Sequence, residues 1–102
     1  MKQNLNIMKT YNITNEIYSE MAERAAKYVS CYWDCIELED GFAVIFALEN
    51  GKPYDVEVRN EDDEVIASNF NISDFEKVAI EEDAICYDLF GKAWICGSRV
   101  NA

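Results

Sequence analysis

Residues 40–55 read DGFAVIFALENGKPYD, and how they are laid out decides the fold. Two turn dipeptides, Asp40-Gly41 and Asn50-Gly51, bracket eight residues, of which seven are apolar. Asp-Gly and Asn-Gly are the strongest short hairpin signals, because a type I′ turn needs positive φ at both central positions. The stretch therefore predicts a central strand joined to each neighbour by a two-residue turn. A strand so apolar normally has both faces covered. What covers the second face is the question that the rest of the chain has to answer.

Working outward, side chains alternate with period two from Tyr32 onward, and the pattern predicts strands at 32–39, 42–49, 52–59 and 64–69. The third turn, Asn60 to Asp63, is longer. Before the strands, Thr14 is placed to cap a helix, with Glu16 in its first turn. Ile17, Met21, Ala25, Tyr28 and Val29 form its apolar stripe, widened by Tyr18 and Ala22. Ser19, Glu20, Glu23, Arg24 and Lys27 fall opposite. After the strands, Ser73-Asp74-Phe75-Glu76 fits the capping box S-x-x-E and predicts a second helix. Its stripe uses Phe75, Val78, Ala79, Ile85 and Leu89, with a break near Glu81-Glu82-Asp83 and a stop at Gly91. Residues 92–100 then form a short strand or a packed tail. Residues 1–13, with Leu5, Ile7, Tyr11 and Ile13, are a loose edge strand or a frayed end. The expected fold is α+β. An N-terminal amphipathic helix packs on an antiparallel meander of three to four strands, followed by a second helix and a short C-terminal strand or tail.

Two-residue turns fix cross-strand neighbours. Across Asp40-Gly41 they place Leu38 opposite Ala43, Ile36 opposite Ile45 and Asp34 opposite Ala47. Across Asn50-Gly51 they place Ala43 opposite Val58, Ile45 opposite Val56 and Ala47 opposite Tyr54. This face, small at its centre, is expected beneath the first helix. The other face becomes a ridge of Phe42, Val44, Phe46 and Leu48, walled by Glu37 and Glu39 on one side and by Asp55 and Glu57 on the other. Either the C-terminal segment covers this ridge, using Phe75, Val78, Ile80, Trp94 or Ile95, or the ridge stays open for a partner or a second copy.

Composition limits the function. The 102 residues hold twenty acids, nine bases and no histidine, for a formal charge of −11. Such a field repels nucleic acid and anionic lipid and attracts basic proteins. The length implies a single domain over 1–102. With no apolar run of 18 residues and a polar N-terminus, the expected location is the cytoplasm, away from membranes. Cys31, Cys35, Cys86 and Cys96 have spacings C-x3-C and C-x9-C, a poor zinc pattern without histidine, so neither metal nor cofactor is expected. A thioredoxin-type site would need C-x2-C at a helix start.

Chemistry has few footholds. The commonest general base is missing. Glu37 and Glu57 fall at a separation a glycosidase pair uses, but the chain is too small to build a sugar cleft around them. Glu61 to Glu64 and Glu81 to Ala84 lack the EF-hand spacing. The order helix, three strands, helix resembles the double-stranded-RNA-binding domain. That resemblance implies basic residues at the start of the second helix; here Ser73-Asp74-Phe75-Glu76-Lys77 carries the wrong sign, which argues against direct RNA binding.

The composition is instead similar to small acidic inhibitors and immunity proteins of phages, mobile elements and toxin systems. That similarity implies a protein-binding module, not an enzyme, that blocks a basic nucleic-acid-acting enzyme by charge mimicry. The expected contact residues are Glu37, Glu39, Asp55, Glu57, Glu61, Asp62, Asp63 and Glu64, with Phe42 or Trp33 as an aromatic anchor. A homo-oligomeric structural protein, such as a homodimer, is the alternative, followed by a small ligand-binding or enzymatic domain.

Overall fold

Thr14 starts the first described helix, α1 (Asn15–Lys27): its side-chain oxygen accepts from the Ile17 N–H, and its carbonyl from the Tyr18 N–H at 3.1 Å. The computed structural model describes residues 10–101, so Leu5 and Ile7 of the expected N-terminal strand lie outside it. Tyr11 does behave as an edge. It bridges Ser68 in parallel, with hydrogen bonds from its N–H to Ala67 O and from the Asn69 N–H to its own carbonyl.

β1 (Cys31–Glu37), β2 (Ala43–Glu49), β3 (Lys52–Arg59) and β4 (Val65–Ile66) form an antiparallel sheet in sequence order. At the Asn50-Gly51 turn φ is 52° and 80°, and Ala47 lies opposite Tyr54 as predicted. The first turn differs. It takes in three residues, Glu39–Gly41, closed by hydrogen bonds from Leu38 N–H to Phe42 O (2.8 Å) and from Phe42 N–H to Glu39 O (3.1 Å). The positive-φ pair Asp40 and Gly41 is present, but Glu39 adds one residue to the loop. The register moves by one, so Ile36 lies opposite Val44, Cys35 opposite Ile45 and Glu37 opposite Ala43.

β3 carries a matching irregularity. Asp55 takes φ 52° in a bulge, after which Glu57 lies opposite Ile45, Val58 opposite Val44 and Arg59 opposite Ala43. Side chains alternate with period two, so one extra residue on each side exchanges the faces. The predicted assignment is therefore reversed. Val44, Phe46 and Leu48 are at most 1% exposed and form the core with Tyr18, Met21, Ala22 and Ala25 of α1. Ala43, Ile45 and Ala47, expected beneath α1, lie outside that cluster.

The second helix, α2 (Ile72–Glu81), begins earlier than the capping box implied. Asn71 is the cap, its side-chain oxygen accepting from Ser73 and Asp74 N–H. Ser73 is thus inside the first turn, because starting at Ile72 lets that side chain join the core. Phe75, Val78 and Ala79 complete the cover over Val44, Phe46 and Leu48, while Ile80 is exposed and Ile95 packs at the margin. The helix does not resume after the acids. Asp83 turns the chain at φ 55°, and β5 (Cys86–Tyr87), β6 (Ala93–Ile95) and β7 (Ser98–Val100) form a second antiparallel sheet. Gly91 belongs to the β5–β6 turn and not to a helix end.

The two sheets meet at the Asn50-Gly51 turn. Gly51 N–H donates to Val29 O at the end of α1, and Gly97 N–H donates to Asn50 O, both at 2.9 Å. The start of β1 is held to α1 by charge. Arg24 Nη1 lies 2.9 Å from both Asp34 oxygens, while the Cys35 N–H donates to Asp34 Oδ1 at 2.8 Å. Asp34 raises the pKa of Arg24 further, mainly through that hydrogen bond. The two side chains are 29% and 21% exposed, so solvent screens the pair. Asp34→Ala is expected to lower stability by about 1 kcal/mol in urea unfolding, with no change in denaturant slope.

Candidate protein-binding surface

With Val44, Phe46 and Leu48 turned inward, the outward face of the four-stranded sheet is built from different residues. Its rows are Glu37–Ala43–Arg59 and Cys35–Ile45–Glu57, followed by Ala47 opposite Tyr54. Trp33 lies two residues before Cys35, at the end of β1 where the ladder becomes irregular. Among the described residues, both helices lie on the Val44 side. The apolar centre of the outward face is Ala43 and Ile45, both half-buried, and Ala47, which is 5% exposed. Large side chains stand at its margin: Trp33 is 68% exposed, Tyr54 42% and Val65 57%.

The start of β1 explains the aromatic cluster. Between Cys31, opposite Leu48, and Asp34, opposite Phe46, the ladder is irregular, and Tyr32 and Trp33 fall in the gap. An extra residue at an edge bends the strand and re-aims side chains. Tyr32 is 95% exposed, and with Tyr54 it flanks a recess of about 500 Å³ lined also by Cys31, Leu48 and Glu49. β1 is an edge strand with no strand beyond it among the described residues. Edge strands are natural docking sites unless charged or covered.

The acids predicted for contact are distributed unevenly. Glu37 and Glu39 line a second recess of about 400 Å³ beside the start of α1, with Glu16, Ile17 and Leu38. Asp55 is exposed at the β3 bulge. Glu57 flanks Ile45 and not Val44, and Arg59 holds it at 2.8 Å. Asp63 lies 3.2 Å from the same guanidinium, and these two partners push the Arg59 pKa up, Glu57 first. Asn60 Oδ1 accepts from the Asp62 and Glu64 N–H groups, so the acidic turn is locally ordered. Glu61 packs beside Gly41. Phe42 is not an available anchor, since Tyr11 stacks on it at 5.3 Å and it packs against the core. Trp33 remains one. Tyr32 and Tyr54 were missed at the sequence level because their exposure depends on the two strand irregularities.

The thiols do not add a reactive centre. Burial pushes the thiol pKa of Cys86 and Cys96 up, and burial together with the charge of Asp34 does the same to Cys31. These three stay protonated at neutral pH, and a thiol is a poor nucleophile. Iodoacetamide at neutral pH is expected to label half-buried Cys35 first and to reach Cys86 and Cys96 only after denaturant is added, as peptide mass mapping will show. No cluster of three or more His, Cys, Asp or Glu side chains among the described residues is placed to hold a metal ion. No described helix is long and apolar enough to cross a membrane. Comparison with family models, curated proteins and solved structures finds no match to this chain.

Proposed function

We propose that this chain is a protein-binding module whose open sheet face receives a basic partner. One observation carries the proposal: Trp33 and Tyr54 stand exposed at one end of a sheet face that neither described helix covers, Tyr32 and Glu49 share a recess with Tyr54, and Asp55 follows it at the β3 bulge. Exposed aromatics around an apolar floor with a charged rim form the usual energetic pattern of a protein interface. The net charge of −11 selects basic partners and accelerates their approach. The narrower form of the proposal is an inhibitor that occupies the nucleic-acid site of a basic enzyme, its carboxylates standing where phosphates would lie.

The test uses tagged protein as bait in lysate at low and high salt, alongside the double variant Trp33→Ala/Tyr54→Ala. Trp33 is 68% and Tyr54 42% exposed and neither belongs to the core cluster, so the variant is expected to fold. A basic protein captured at low salt, released by salt and lost with the double variant supports the proposal. Its displacement by added duplex DNA supports the inhibitor form. Capture that is indifferent to the double variant, or no salt-sensitive capture at all, sinks it.

A further inference from the structure

The β5–β6 turn presents two large apolar side chains to water. Leu89 is 99% exposed and Phe90 85% exposed. The turn is nevertheless well held. Asp88 Oδ1 accepts from the Phe90 and Lys92 N–H groups at 2.8 and 3.0 Å, and Oδ2 accepts from Trp94 Nε1 at 3.0 Å. The Asp88 N–H donates to Lys92 O, and the Gly91 N–H donates to Asp88 O. These contacts, the Lys92 N–H first, hold the Asp88 carboxyl below the usual carboxylate range. A turn fixed before contact loses little conformational entropy on docking.

The charge around this tip is opposite to that of the rest of the chain. Residues 84–102 contain one of the twenty acids, Asp88, and two of the nine bases, Lys92 and Arg99. Arg99 sits over the Trp94 ring at 5.4 Å, in the same small sheet as the tip. The recess beside the start of α1 has the complementary character. Its volume is about 400 Å³, its apolar lining is Tyr11, Ile17 and Leu38, its charged lining is Glu16, Glu37 and Glu39, and no base lines it among the described residues.

We propose that the Leu89–Phe90 tip docks into the Glu16–Glu37–Glu39 recess of a second copy of this chain. Two-fold pairing at either patch would set like charges against each other, three glutamates against three or Lys92 and Arg99 against themselves. Head-to-tail pairing joins opposite ones. Given reciprocally, each tip in the other copy's recess, the contact closes a two-fold dimer; given in one direction only, it builds a ring or an open chain. A lipid surface is disfavoured as the occupant, because anionic headgroups face a protein of charge −11. The proposal does not depend on the sheet face of Trp33 and Tyr54.

Sedimentation equilibrium over a range of concentrations tests it with three proteins. Wild type is expected to self-associate, more weakly as salt rises. Leu89→Ser/Phe90→Ser keeps its fold, since nearly all of both side chains is already in water, and loses affinity by roughly thirtyfold or more. Glu16→Lys/Glu39→Lys, which leaves the sheet face intact, is expected to lose a similar amount. The decisive arm is an equimolar mixture of the two variants. One supplies an intact recess and the other an intact tip, so the mixture is expected to form a 1:1 dimer and nothing larger. A wild type that stays monomeric, a tip variant that associates like wild type, or a mixture that stays monomeric overturns the proposal. Tip-dependent binding to phosphatidylserine vesicles without self-association overturns it too, in favour of a membrane.

Discussion

Phe46→Ala is expected to destabilise the protein by about 3–5 kcal/mol, while Ile45→Ala next to it costs about 1 kcal/mol or less. Phe46 is 1% exposed and lies among Tyr18, Met21 and Phe75, so truncation leaves a cavity that two helices cannot close without moving. Ile45 is half-buried on the open face between Cys35 and Glu57, where water fills whatever is removed. Whole-domain stabilities of 5–15 kcal/mol make the first change severe. Urea unfolding of the two variants side by side decides which face of β2 is the core. Equal losses, or a larger loss at Ile45, would mean that the register described above is wrong.

The second large effect is at Gly51. A Cβ there would sit 2.8 Å from the Cys86 sulfur and 3.5 Å from the Cys96 nitrogen, and φ is +80°. Gly51→Ala therefore combines left-handed strain with overpacking against a buried side chain, and is expected to cost about 2–4 kcal/mol. Gly91→Ala is the control. Its φ is +77°, but a Cβ there meets nothing within 4 Å, so only the strain of about 1–2 kcal/mol remains. Thermal unfolding of both variants separates the two contributions. If Gly51→Ala is no worse than Gly91→Ala, the small sheet is not packed against the Asn50-Gly51 turn.

The sequence carried the element order well. α1 was legible because its stripe from Ile17 to Tyr28 follows one period and Thr14 caps it. The Asn50-Gly51 turn was legible because few dipeptides tolerate positive φ twice. The faces were not legible, and the reason is physical. Glu39 carries no turn signal, so nothing marked it as a loop residue, and Asp55 carries no glycine to announce a bulge. Each adds one residue to its side of β2, and with a period of two that is enough to exchange core and surface. The predicted walls of Glu37 and Glu57 do share a face, but they flank Ala43 and Ile45 and not Val44.

Residues 84–91 were misread for a related reason. Leu89 fitted a helical stripe with Phe75 and Val78, and spacing alone counts it as core. The competing signal was Asp88-Leu89-Phe90-Gly91, a short turn bounded by aspartate and glycine. Asp88 bonds its own backbone neighbours there, which a helix would not allow. Tyr32 escaped notice because strand alternation assigns one residue per step, and the edge of β1 takes two.

The Asn50-Gly51 turn also bears on chemical ageing. Asn-Gly is ordinarily the dipeptide most prone to deamidation, in which the glycine nitrogen attacks the asparagine side-chain carbonyl. Here that nitrogen is engaged, its N–H donating to Val29 O, and Gly51 is buried under the second sheet. Reaction requires the end of α1 and the small sheet to let go together. Isoaspartate at position 50, followed by mass spectrometry during storage, is therefore expected to accumulate in proportion to the fraction of time the turn is open, and to rise when mild urea loosens the joint while the Asn-Gly dipeptide is kept. One stored sample becomes a record of how often the joint between the two sheets has come apart.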